Sequence, residues 1–188
     1  MIGYAICGSF CTHAQSLQVL ESLARRGIDM QGILSERAAS TDTRFGRAED
    51  LLRRVESVTG RTVIRTIADA EPLGPTSPLE AMIIAPCTGN TLAKLANGIT
   101  DTAVCMAAKA HMRTNRPLLI ALATNDAMSA NLANIACMLQ RKNVYFTPML
   151  QDDPVHKPHS LVADFSEIAA SLDAMMRGEQ LRPLFKST

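Results

Sequence analysis

The sequence predicts an α/β fold in which a six-stranded, mostly parallel sheet is covered by helices on both faces. Three observations carry this. Short apolar runs alternate along the chain with segments whose apolar residues recur at helical spacing. Most of those runs are almost uniformly apolar, the pattern of strands buried on both faces between two helix layers. The length of 188 residues, 47% of them hydrophobic, suffices for one domain spanning 1–188 with a sizeable core.

The elements follow in order. Ile2 to Cys7 is the first apolar run and the first strand. Leu17, Leu20, Leu23 and Ala24 space a helix from His13 to Arg26, stopped by Gly27. Met30 to Leu34 is the second strand. Leu51, Leu52 and Val55 line one face of a helix from Ala48 to Val58, ended by Gly60. Thr62 to Ile67 reads as the third strand. Glu71 to Pro78 holds three prolines and a glycine and reads as a rigid loop. Met82 to Ala85 is the fourth strand, followed by helices over Thr91 to Asn97 and Asp101 to Met112. Pro117 to Ala123 is the fifth strand, Ser129 to Arg141 a helix, and Val144 to Thr147 the sixth strand. Gln151 to Ser160 is a polar, proline-bearing loop. A closing helix covers 161–178, and 186–188 are expected to fray. This alternation is the three-layer, Rossmann-like, flavodoxin-type arrangement. Its ligands bind beyond the carboxyl ends of the strands, at a topological switch point.

Bulk properties narrow the function. A net charge of +1 gives no field to recruit nucleic acid, and 4% aromatics with no Trp give no base-stacking platform. No apolar run approaches the ~20 residues of a membrane-spanning helix, and the start lacks the basic region of a signal peptide. The five cysteines, an odd number in mostly apolar surroundings, predict reduced thiols and a cytoplasmic location.

The segment Ala85-Pro86-Cys87-Thr88-Gly89-Asn90-Thr91-Leu92 is the most informative. A strand that stops at small, hydroxyl and amide residues before a helix presents free backbone N–H groups. The helix dipole behind them favours a phosphate. The Thr88 and Thr91 hydroxyls and the Asn90 amide can bond phosphate, ribityl or ring atoms. Three more strand ends have this character: Gly8-Ser9 with Thr12, Ser35, and Thr124-Asn125-Asp126. The first is equally a capped turn, and the last equally the start of the following helix. None is a G-x-G-x-x-G fingerprint, which argues against a standard NAD site on this chain. In Ser40 to Gly46, Arg44 could pair with a carboxylate, or the loop could simply cap the following helix. In Gln151 to Ser160, His156, Lys157 and His159 are candidate cation donors for a ligand or a subunit contact. Asp152-Asp153 with His156 and His159 resembles a metal cluster, but Pro158 disfavours a helical ligand pair, so no metal site is assigned. Cys87 reads as a packed thiol, His111 as filler, and no catalytic residue is assignable.

Six motifs stand in fixed order: Gly8 to Thr12, Thr41 to Gly46, Glu71 to Pro75, Ala85 to Asn90, Thr124 to Ala127 and Gln151 to Leu161. Together they resemble the B-subunit family of dipicolinate synthases. That family is similar to the wider flavoproteins that include homo-oligomeric cysteine decarboxylases and flavin prenyltransferases. The resemblance implies FMN, held at the positions of Pro86, Thr88, Asn90 and Thr91, of Gly8-Ser9 and of Ser35. Where prenyltransferases carry arginines, this chain reads Met106-Ala107-Ala108 and Thr124-Asn125-Asp126, and the decarboxylase His has no counterpart. The resemblance further implies a partner, the A subunit of dipicolinate synthase, which supplies the NAD(P) site. The reaction would be oxidation of a dihydrodipicolinate-level ring to pyridine-2,6-dicarboxylate in the mother cell of a sporulating bacterium. Arg44, His156, Lys157 and His159 would meet the dicarboxylate, and self-association is expected. The alternatives are an FMN-dependent decarboxylase or prenyltransferase, and a non-catalytic scaffold that stabilises the A subunit.

Overall fold

Every residue of β1 (Ile2–Ile6) and of β3 (Ala81–Cys87) is buried, as expected for strands covered on both faces. The computed structural model describes residues 1–74, 76 and 79–186. Its other elements are α1 (His13–Arg25), β2 (Met30–Leu34), α2 (Glu36–Ser40), α3 (Ala48–Thr59), α4 (Ile67–Ala70), α5 (Gly89–Ala96), α6 (Ala103–Met112), β4 (Leu118–Thr124), α7 (Leu132–Leu139), β5 (Val144–Phe146), β6 (Met149–Leu150), β7 (Leu161–Ala163) and α8 (Ile168–Met176).

Five strands run parallel in the order β2-β1-β3-β4-β5. β7 pairs antiparallel with the end of β4, and β6 with β7, giving a seven-stranded sheet where six strands were expected. Side chains alternate across it. Leu118, Ile120 and Leu122 enter the core beneath α5, α6 and α7, while Leu119 and Ala121 enter the core beneath α1, α3 and α8. The strand order reverses beside β1. The chain steps one way to β2 and the other way to β3. The helices that follow β1 and β3 therefore leave on opposite faces and open a crevice between them.

Buried polar bonds brace this crevice. Tyr4 is fully buried and its hydroxyl donates to the Ser16 carbonyl at 2.9 Å. The Ser16 hydroxyl donates in turn to the Ala85 carbonyl, tying α1 to the end of β3. The Ala85–Pro86 bond is cis, and the β3–β4 register shifts between Ile84 and Cys87.

Three expectations are corrected. The third strand is a single bridge, Ile64 opposite Ile33. Side chains satisfy its flanks instead of β2: Gln31 donates to the Thr62 carbonyl at 2.8 Å, the Glu56 carboxylate accepts from Val63 N–H, and Thr66 caps α4. The start of the closing helix is strand β7; Leu161, Ala163 and Phe165 alternate inward at period two, and Asp164 caps the turn before α8. Met176 ends that helix. Lys186, expected to fray, pairs with Asp164 and Glu167, each at 2.7 Å. Residues 75, 77 and 78 of the proline loop and 187 and 188 of the tail lie outside the described residues; Glu71–Leu73 forms a 3-10 turn.

Candidate functional site

The crevice holds two adjoining chambers that share Gly8, Thr88 and Asn90 in their walls. The larger, about 610 Å³, extends over Ser35, Arg37, Thr91, Lys94 and Thr102. The smaller, about 300 Å³, extends over Ser9, Thr12, Gly89, Thr124 and Asn125, and is bordered by Asp152 and Lys157 from the 151–160 loop.

The first turn of α5 forms the partition. Thr88 is its cap, accepting from Thr91 N–H at 3.2 Å and donating to the Thr91 hydroxyl at 3.1 Å. Helix geometry leaves the leading N–H groups of α5 without intrahelical partners, facing the crevice. The Thr91 hydroxyl donates to Cys7 Sγ at 3.3 Å, so Thr91 lines the larger chamber with its proton already engaged. Burial pushes the Cys7 thiol up to about 12, against the Thr91 hydrogen bond, and burial raises Cys87 likewise. Both are protonated packing groups, as the sequence suggested for Cys87.

Gly89 has no room for a side chain. A Cβ there would lie 2.5 Å from both Asn131 Nδ2 and Thr124 Oγ1, and 2.9 Å from Asp126 Oδ1. Those three side chains form one network: Thr124 and Asn131 both donate to Asp126 Oδ1, and Asn134 donates to Asn131. The Thr124 hydrogen bond, with help from Asn131 and against partial burial, holds the Asp126 carboxyl below the usual carboxylate range. Asp126 thus organises the turn between β4 and α7. Because its folded pKa is depressed, its stabilisation is present above the unfolded value and fades as pH falls through the folded one. The expected outcome is that wild-type stability drops below about pH 4 more than that of Asp126→Asn. Urea unfolding of both at neutral and acid pH checks this; equal losses would contradict it.

The other strand ends are held as firmly. The Ser35 hydroxyl accepts from Ala38 N–H at 3.3 Å and begins α2, an element the sequence pattern did not reveal. The Thr12 hydroxyl donates to the Ser9 carbonyl at 2.8 Å. His13 Nε2 donates to the Cys7 carbonyl at 2.7 Å, clamping the turn after β1, and burial lowers its pKa. Among the described residues, the side-chain amides of Asn90 and Asn125 have no hydrogen-bond partner, and Arg37 has no ion pair. Lys94 pairs with Asp101 at 2.9 Å.

The structure therefore gathers Gly8, Ser9, Thr12, Ser35, Thr88, Gly89, Asn90, Thr91, Thr124, Asn125 and Lys157 around one crevice. Pro86 is buried within β3, and Asp126 stands behind Thr124. Arg44 lies elsewhere, stacked 4.8 Å from the Phe45 ring centroid, beside a separate groove between α1 and α3. His156 is exposed and bonded to Asp153, and His159 contributes its carbonyl to Met128 N–H; neither lines a chamber. Arg37 and Lys94, which stand within a turn of Ser35 and Thr91 on α2 and α5, escaped sequence reasoning because it looked only at the strand ends; Thr102, the cap of α6, comes in from farther along the chain. Among the described residues no helix is long and apolar enough to cross a membrane. No group of three or more His, Cys, Asp or Glu there could hold a metal.

A doubly wound sheet with a polar crevice at its switch point is the architecture of nucleotide- and flavin-binding domains. Residues 1–174 match the Flavoprotein family, and the chain belongs to it. It is similar to the B subunit of dipicolinate synthase from Bacillus subtilis (strain 168), being 40% identical over 183 residues that cover 97% of this chain and 92% of that one. The crystal structure of the B subunit of dipicolinate synthase from Bacillus halodurans C matches with a TM-score of 0.91 at 36% identity, covering 100% of this chain and 96% of that chain. A dodecameric FMN-dependent UbiX-like decarboxylase from Escherichia coli O157:H7 shares the fold, with a TM-score of 0.60 at 19% identity over 79% and 80% of the two chains.

Proposed function

We propose that this chain is the FMN-holding subunit of a two-component dipicolinate synthase. It would act with an NAD(P)-binding A subunit to oxidise a dihydrodipicolinate-level ring to pyridine-2,6-dicarboxylate during sporulation. The observation that carries this reading is the paired chamber around the first turn of α5. The larger chamber's donors fit an anionic, hydroxyl-rich cofactor: leading helix N–H groups, the unengaged Asn90 amide, and Arg37 in its wall. Gly89, bare of a side chain, lets the strand-end loops approach one another. The likeness to the B-subunit relatives over nearly the whole chain supports the same reading.

FMN, when bound, supplies a ring that accepts a hydride. The chain's own groups bind and orient. Against partial burial, the hydrogen bonds from Lys157 and Ser160 hold the Asp152 carboxyl below its usual range, and the bond to Asp152 raises the pKa of the Lys157 ammonium. Self-association follows the pattern of the dodecameric fold relative, and a mother-cell cytoplasmic location follows from the sporulation role. The test is reconstitution with the A subunit. FMN-loaded chain is expected to restore dipicolinate formation, and flavin-stripped chain to restore it only after FMN is returned. A full rate from stripped chain would favour the scaffold alternative.

A further inference from the structure

The smaller chamber has an unusual inventory of polar groups. Thr12 and Thr124 line it, but their hydroxyl protons are engaged by the Ser9 carbonyl and by Asp126. Thr88 likewise donates to Thr91. What remains are the Ser9 hydroxyl, which meets Cys11 Sγ at 4.0 Å, the Asn125 amide, the Asn90 amide shared with the larger chamber, and Lys157, which gives one N–H to Asp152 Oδ2 at 2.7 Å and has two left. Among the described residues, Asp152 is the one acid in this wall.

That acid is fixed in place. Its other oxygen, Oδ1, accepts from the buried Ser160 hydroxyl at 2.8 Å. The loop that carries both residues closes on itself. Lys157 N–H donates to the Asp153 carbonyl at 2.8 Å, Ser160 N–H to the Lys157 carbonyl at 3.0 Å, and Gln151 to the Pro158 carbonyl at 3.0 Å. The His159 carbonyl accepts from Met128 N–H at 2.9 Å, tying the loop to the turn after β4. Lys157 is therefore presented at the chamber on a braced loop, with a counter-ion built in beside it.

We infer that the smaller chamber is a carboxylate site in which Lys157 is the anchoring cation and Asp152 is an internal competitor that an incoming carboxylate must displace. The identity of the acid rests on the dipicolinate synthase reading. Lys157 and the Asn125 amide border the same chamber, so a ring acid bearing two carboxylates has a cation for one and an amide N–H for the other. Asp152 keeps Lys157 ordered when the chamber lacks its ligand and sets a threshold that weakly charged molecules do not cross.

The prediction separates two neighbouring residues by sign. Asp152→Asn keeps an oxygen for the Ser160 hydroxyl but removes the competing charge, so anion affinity rises, by about threefold to fivefold on the scale of exposed ion pairs. Lys157→Ala removes a charge-assisted bond and lowers affinity about tenfold or more, and Lys157→Arg restores part of it. Binding of pyridine-2,6-dicarboxylate, with uncharged pyridine as control, is measured by calorimetry on the purified chain, with and without added FMN. Circular dichroism verifies that each variant is folded. Opposite shifts for the two positions support the inference. Dicarboxylate affinities within twofold of wild type in both Asp152→Asn and Lys157→Ala would overturn it, as would equal binding of pyridine. Dicarboxylate binding with the expected signs by a chain that retains no FMN would leave this site standing while the cofactor reading fails. FMN retention without the expected signs would do the reverse.

Discussion

Gly89→Ala is expected to lower stability and ligand retention together. The added Cβ would meet Asn131 Nδ2 and Thr124 Oγ1 at 2.5 Å, in a cluster already organised around Asp126. None of these atoms is the loose end of a long side chain, so relief requires the β4–α7 turn to move or α5 to withdraw. Overpacking of this kind costs about 1–3 kcal/mol. Breaking the hydrogen bonds of a partly buried carboxylate adds about another 1–3 kcal/mol. Because the same turn of α5 divides the two chambers, ligand retention is expected to fail together with stability. Urea unfolding and FMN retention on one preparation check both. A variant with wild-type stability and wild-type retention would show that the close approach at Gly89 does not matter.

Ser16→Val is expected to cost about 2–4 kcal/mol, since it leaves buried hydrogen-bonding groups without partners in the core. The Ser16 hydroxyl is the only side-chain donor to the Ala85 carbonyl among the described residues, and it lies 3.2 Å from the Tyr4 hydroxyl. Valine, similar in size, removes that bond and adds a branched side chain in the first turn of α1. The surface change Ser22→Ala on the same helix is the control and is expected to stay within about 0.5 kcal/mol of wild type. Equal unfolding free energies for the two variants would contradict the bracing role given to Ser16. Ala85 stands just before Pro86-Cys87, the end of β3, and Thr88, the cap of α5, so the crevice wall is expected to loosen with it.

The parts of this fold that were legible in the sequence are those written in local chemistry. The runs at β1, β3 and β4 are apolar because both faces are buried, and a run of that kind is visible without knowing its neighbours. Gly60 ends α3 with φ of 66°, the left-handed conformation a glycine adopts readily. The polar strand ends were legible because capping residues act within three positions of themselves, as Ser35 and Thr88 do.

What stayed hidden depends on residues far apart in the chain. Gly89 reads as a helix-start glycine; its need for close approach comes from Asn131 and Thr124, on the β4–α7 side of the crevice. The Thr91 hydroxyl was offered to a ligand, but it meets Cys7, 84 residues away. Arg44 looked suited to a carboxylate, yet the small turn closed by Thr43 and Gly46 carries it to the α3 groove. Thr62 to Ile67 has the residues of a strand, but side chains of Gln31 and Glu56 take the backbone groups that a neighbouring strand would use. Conversely, the alternation of Leu161, Ala163 and Phe165 is a strand signal that helix-compatible residues around it obscured.

The proposed flavin site is the crevice at the end of β1 and β3, at the first turn of α5. Asn90 lines both chambers, and its amide has no partner within the protein among the described residues. The most direct test is an FMN titration of the purified chain, followed by desalting and a visible spectrum, for wild type and Asn90→Ala. Flavin absorption is expected to stay with wild type, and the affinity of Asn90→Ala to be about tenfold lower, the scale of one or two lost hydrogen bonds. Wild-type protein that emerges without flavin, or an Asn90→Ala variant that holds FMN as tightly as wild type, would contradict it.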